Sequence, residues 1–202
     1  MTAVPARDAD LTARARIRDR AFALFAERGI AATPVRAIAG AAGVSPALVL
    51  HHFGSKDGLV QAVEDVLLET LTEQFEQIER TATPDVFSAR ASETIAEVLG
   101  SNPVLRQYLR RSLLEEHPTG ATLVDQLFAW TERGIDIMGQ AGALRAVADP
   151  TWRPYQVLYV VLGPLLLETL LERHLGTDAF DPDVIAARSR ANHDFFAHGL
   201  LA

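Results

Sequence analysis

The sequence predicts an all-α protein of about nine helices, a small three-helix unit followed by a larger helical domain. Three observations carry this. Apolar residues recur at three- and four-residue spacing along most of the chain. Runs of β-branched residues with period two are missing. Pro, Gly, Ser, Thr and Asp fall where helices of that spacing would begin and end.

The elements follow in order. Residues 1–10 read as a loose arm. Arg14 to Glu27 places Ile17, Ala21, Leu24 and Phe25 on one helical face, and Gly29 ends it. Thr33-Pro34 opens a short second helix, with Thr33 as N-cap and Pro34 at the first helical position. Val35, Ile38, Ala39 and Ala42 face inward there, and Gly43 stops it. Ser45-Pro46 repeats the start signal for a third helix of about seven residues, to His52. Gly54-Ser55 breaks the chain again, and Ser55 caps a long fourth helix to about Arg80, striped by Leu59, Val63, Val66, Leu67 and Leu71. Later starts are Thr83-Pro84-Asp85, Asn102-Pro103, Pro118, Trp152 and Asp181-Pro182-Asp183. Residues 152–175 are the most apolar stretch, with a kink or loosened turn expected at Gly163-Pro164. The expected domains are residues 10–56 and 57–202.

Composition excludes several classes of function. The 202 residues include no cysteine, so disulfides, thiolate catalysis and Cys-ligated zinc are ruled out. The first residues hold no apolar stretch of signal-peptide type, and the run Val157–Leu167 is too short to span a bilayer. A cytoplasmic protein without membrane contact is the expectation. Net charge is −7, unevenly spread: residues 1–60 carry +3 and residues 61–202 carry −10. A weakly basic head on an acidic body suits a polyanion-binding module attached to something that does not bind polyanions.

No catalytic residues and no cofactor are expected. None of the motifs H-E-x-x-H, G-x-S-x-G or G-x-G-x-x-G occurs. His51-His52 has the look of a metal pair, but neighbours on a helix point about 100° apart and do not easily share one ion.

The second and third helices meet at Ala42-Gly43-Val44-Ser45. A helix as short as the third must be held by packing, which fits a helix-turn-helix whose second member enters the DNA major groove. Ser45, Ala47, Leu48 and His51 are placed to reach DNA, the apolar two through thymine methyls. Arg36 and Lys56 are placed to reach phosphates. On periodicity alone, a plain helical bundle stays open beside this reading.

Residues 16–60 resemble the DNA-binding domain of the TetR family, the tetracycline-repressor-like regulators. The resemblance lies in three blocks in order: A-x-x-L-F-A-E-R-G, T-x-V-R-x-I-A-x-x-A-G-V-S and H-x-F-x-S-K-x-x-L. It implies a ligand-responsive transcriptional repressor that binds a near-palindromic double-stranded DNA operator as a homodimer and leaves it when a small molecule binds. By position, Thr33 would cap the second helix and touch the DNA backbone. Arg36 and Lys56 would contact phosphate. Ser45, Pro46, Ala47 and Val49 would line or support the groove side, with His51 at its edge and Phe53 in the core. The family often has aromatics where Leu50 and His52 stand, and His52 would retain a weaker polar contact. A helical protein-interaction module that has lost DNA binding is the competing reading.

For the body, the resemblance implies dimerisation through the last two helices, with Ile185, Ala186, Ser189, Asn192 and Phe196 as a close-packing face of the final one. It implies an effector pocket inside helices four to eight. Candidate lining residues are Tyr108, Leu109, Leu127, Trp130, Met138, Tyr155 and Tyr159, with His117 or Gln126 fixing orientation. The effector expected is largely apolar or aromatic.

Overall fold

The computed structural model describes residues 6–81, 87–114, 118–147 and 149–198. The start signal at residues 83–85 and the pocket candidate His117 lie outside them. Among the described residues the chain forms α1 (Ala6–Arg28), α2 (Val35–Ala42), α3 (Pro46–Phe53), α4 (Lys56–Thr81), α5 (Phe87–Ser101), α6 (Pro103–Leu114) and α7 (Pro118–Gln140). A single 3-10 turn (Pro150–Trp152) leads into α8 (Arg153–Leu166), followed by α9 (Glu168–Leu175) and α10 (Pro182–His198). No single helix among them is long and apolar enough to cross a membrane.

Proline at the first helical position starts α3, α6, α7 and α10, as the sequence predicts. Two boundaries differ. α1 begins at Ala6, two turns before the expected start. Its early residues form helix without an apolar stripe, so periodicity had nothing to register. The single apolar helix expected over 152–175 is two helices, α8 and α9. They bend by 70° at Leu167, three residues past Pro164, which itself lies inside α8.

Two clusters of buried side chains organise the molecule. The first joins α1, α2, α3 and the start of α4 through Ile17, Phe25, Ile38, Val49, Leu59 and Val60, and it also takes in Tyr108 from α6. The second joins α5, α6, α7, α8 and α10 through Leu99, Leu105, Leu109, Leu123, Leu165 and Ile185. Phe22 and Leu67 touch both clusters. Ile185 is therefore a core residue within the chain: its Cδ1 lies 2.8 Å from where a Cβ on Gly100 of α5 would stand. It is not free to form a dimer face.

α6 is a strut between these clusters. Arg111 donates from Nε to Ala26 O (2.8 Å) and from Nη2 to Glu27 O (3.0 Å), the last carbonyls of α1. Arg106 and Arg110 pair with Glu168 at the start of α9. Buried Arg106 also donates to Leu99 O and lies over the Phe180 ring.

Candidate nucleic-acid interface and effector cleft

The α2–α3 corner is built by a few local bonds. Gly43 takes φ +66°, the left-handed region that glycine enters at no steric cost. Val44 N–H then reaches back to Ala39 O at 3.0 Å, closing the C-terminus of α2. Arg16 from α1 donates to Ala42 O at 2.9 Å, satisfying another terminal carbonyl. Ser45 Oγ accepts from Leu48 N–H at 3.2 Å and caps α3.

The corner then divides α3 into two faces. Val49 is fully buried, and Leu48, His52 and Phe53 turn partly inward. Pro46, Ala47, Leu50 and His51 are exposed together on the other face. Arg14 lies over the Phe53 ring at 5.0 Å from its centroid, tying the base of α3 to α1. Arg36 is exposed on α2. Lys56 begins α4, and its Nζ donates to Ala31 O at 3.4 Å.

The structure corrects the reading of Thr33. It is fully buried, and its Oγ1 donates to Gly29 O at 2.7 Å. The N-cap of α2 is Pro34, with no side-chain cap bond. Thr33 thus closes the end of α1, and its hydroxyl does not face outward to a DNA backbone. Of the two roles expected for Val49, lining the groove side or supporting it, its full burial fits the supporting one. The two histidine rings stand 5.6 Å apart at 63°, with His52 leaning edge-on towards Phe53.

In the body, Glu64, Leu67, Leu68, Tyr108, Ser112 and Leu123 line a cleft between α4, α6 and α7. It encloses about 10 Å³, room for one water molecule. Tyr108 Oη donates to Glu64 Oε1 at 3.0 Å, and its ring packs on Phe22 of α1, 5.2 Å between centroids. Burial, reinforced by the Glu64 charge, raises the Tyr108 hydroxyl far above the ordinary tyrosine range. Of the other pocket candidates, Leu109 is buried in the second cluster and Leu127 packs against it. Trp130 stacks on Phe75 at 5.8 Å. Gln126 and Met138 are half-buried. Tyr155 and Tyr159 are exposed, so the expectation that they line a pocket does not hold for this chain alone.

Glu64 carries no motif in the sequence, although its place among Val60, Val63, Leu67 and Leu71 puts it on the buried stripe of α4. Elsewhere Glu168, Glu172 and Asp178 bring carboxylates together, but Glu168 is already paired with two arginines.

Residues 17–63 match the model of the family described as bacterial regulatory proteins, tetR family. The chain is 36% identical over 147 residues to the HTH-type transcriptional regulatory protein RaaS of Mycobacterium tuberculosis. The match spans 73% of this chain and 66% of RaaS. Among solved structures, FadR of Bacillus subtilis in complex with stearoyl-CoA superposes with a TM-score of 0.76 at 16% identity, covering 93% of this chain and 99% of that one. PfmR of Thermus thermophilus superposes with a TM-score of 0.68 at 25% identity, covering 93% and 100%. The motif-bearing α1–α4 segment, the helical body behind it and these likenesses agree: the chain belongs to the tetR family of bacterial regulatory proteins.

Proposed function

We propose that this protein is a ligand-responsive transcriptional repressor, acting in the cytoplasm as a homodimer on a near-palindromic operator. The observation that carries the reading is the uncovered face of α3, held by the Gly43 turn and the Ser45 cap. Arg36 and Lys56 flank it where phosphates would run. In this reading Arg36 and Lys56 contact phosphate, Ser45, Pro46, Ala47 and His51 face the groove, and the backbone N–H groups at the start of α4 add to the anion site.

The effector is a largely apolar or aromatic small molecule that enters between α4, α6 and α7. Support comes from the leucine walls of the cleft, and from FadR, a protein of the same fold whose structure holds stearoyl-CoA. A cleft with room for one water must open to admit such a molecule. Opening it moves Tyr108 and with it Phe22 of α1, which alters the placement of the head. Release from DNA follows if the ligand binds the opened state more tightly than the closed one.

Selection from a random-sequence duplex library tests the reading. The expected result is a two-fold symmetric site with half-sites about 34–36 Å apart or somewhat more, and affinity that falls steeply with salt. Failure of folded, ligand-free protein to enrich any site at low salt would reject it in favour of a protein-interaction module.

A further inference from the structure

We propose that Leu50 is a sequence-reading residue, whose side chain takes the C5-methyl group of a thymine in each operator half-site. The proposal rests on the DNA-binding reading above and adds the chemistry of its readout.

Helical phase fixes what α3 can offer. Its inward side is Leu48, Val49, His52 and Phe53, and its outward side is Pro46, Ala47, Leu50 and His51. Fully buried Val49 and the Arg14–Phe53 contact hold that rotation, so the outward set cannot exchange with the inward one. Three of the four outward side chains carry no hydrogen-bonding atom. The Ser45 hydroxyl already accepts from Leu48 N–H, and Arg36 lies on the preceding helix. Direct polar reading of base edges from α3 is thus left to His51 and to the Ser45 O–H, which the capping bond does not use.

Leu50 is 45% exposed. Among the described residues it is the sole large apolar side chain so exposed before Val104. A solitary exposed leucine on an ordinary surface means little. This one sits mid-helix on the face that a helix-turn-helix turns to the groove, beside Ala47 and Pro46, where water would be displaced on docking. The one apolar group on the major-groove edge of the base pairs is the thymine methyl. The apolar part of this recognition face therefore favours thymine, and Leu50 has the reach that Ala47 and Pro46 lack.

The experiment starts from the duplex enriched by the random library. Each symmetric thymine pair in the half-sites is replaced by deoxyuridine, which removes the methyl and keeps every hydrogen-bonding group. Binding is measured with the wild-type chain and with Leu50→Ala, an exposed substitution whose folding is checked by circular dichroism and by binding to nonspecific DNA. The expected result is one thymine pair whose replacement weakens wild-type binding by about fourfold per half-site, the worth of one buried methyl-sized group. Leu50→Ala should bind the thymine and uracil duplexes alike. If no thymine replacement alters wild-type affinity, or if Leu50→Ala still discriminates as well as wild type, Leu50 is not the reader although the protein binds DNA. If the library enriches nothing, the DNA-binding reading itself falls.

Discussion

Single residues decide the geometry of the head, and glycine at position 58 is the sharpest case. In an exposed helix, alanine ordinarily stabilises over glycine by about 1 kcal/mol. Here a Cβ on Gly58 would stand 2.1 Å from the carbonyl oxygen of Phe53, at the point where α3 hands over to α4. Neither backbone segment can yield without moving α3 against the core. Gly58→Ala is therefore expected to reverse the usual sign and cost about 2 kcal/mol or more, read as a lowered midpoint in urea. Tyr108 makes a second case. Tyr108→Phe removes the hydrogen bond to buried Glu64 and should cost about 1–3 kcal/mol near neutral pH. The raised hydroxyl also fixes a pH dependence. Above the unfolded tyrosine pKa of about 10, the unfolded chain releases this proton while the folded one keeps it. Stability then falls as pH rises, by up to about 1.4 kcal/mol per pH unit. Denaturation between pH 9 and 11 should show that slope in the wild type, and Tyr108→Phe should lack this share of it.

At the scale of elements, what the sequence made legible was local. Proline starts, glycine stops and apolar stripes depend on neighbours three or four residues away, and α2, α3, α4 and α6 follow them closely. What it hid was tertiary. Thr33 reads as a cap by spacing, yet the proline after it takes the cap position and the hydroxyl turns back to the end of α1. The α3 corner of the candidate site was legible for the same local reason, whereas Glu64 and the pairing of Tyr108 with it, across 44 residues, were not. The break at Leu167 belongs to the same class. Pro164 removes a donor inside α8, but the chain turns only where Glu168 meets Arg106 and Arg110 from α6. The bend is thus held across elements. Removing the carboxylate leaves buried Arg106 without its acid partner, although its bonds to Leu99 O and Gly100 O remain. Glu168→Ala is expected to cost about 3 kcal/mol, measured by denaturant unfolding. The same substitution at Glu93, an exposed partner of Arg90, should cost under about 1 kcal/mol.

At the scale of the whole molecule, the unresolved demand is for cover. Tyr159 and Leu166 on α8, Leu167 beside them, Leu170 on α9, and Phe195 and Phe196 on α10 all stand exposed. Burying a side chain of this size is worth roughly 1.5–3 kcal/mol before the costs of association. A two-fold axis would count every such contact twice, which makes self-association the economical way to cover them. A dimer also matters to the head. One α3 offers few polar contacts, so in the proposed homodimer operator affinity rests on two heads engaging together. Linking them multiplies binding by about 10²–10⁴ without any new contact to DNA. Introducing aspartates at Leu166 and Phe196 would place unpaired charges in the proposed interface while leaving the two buried clusters intact. Light scattering should then report the chain's 22.0 kDa instead of twice that mass. Operator binding should fall by about the avidity factor, while binding to nonspecific duplex, which one head can provide, changes far less. A double variant that remains dimeric would move the interface away from α8 and α10. One that becomes monomeric with undiminished operator affinity would show that a single head suffices, and a palindromic operator would lose its physical reason.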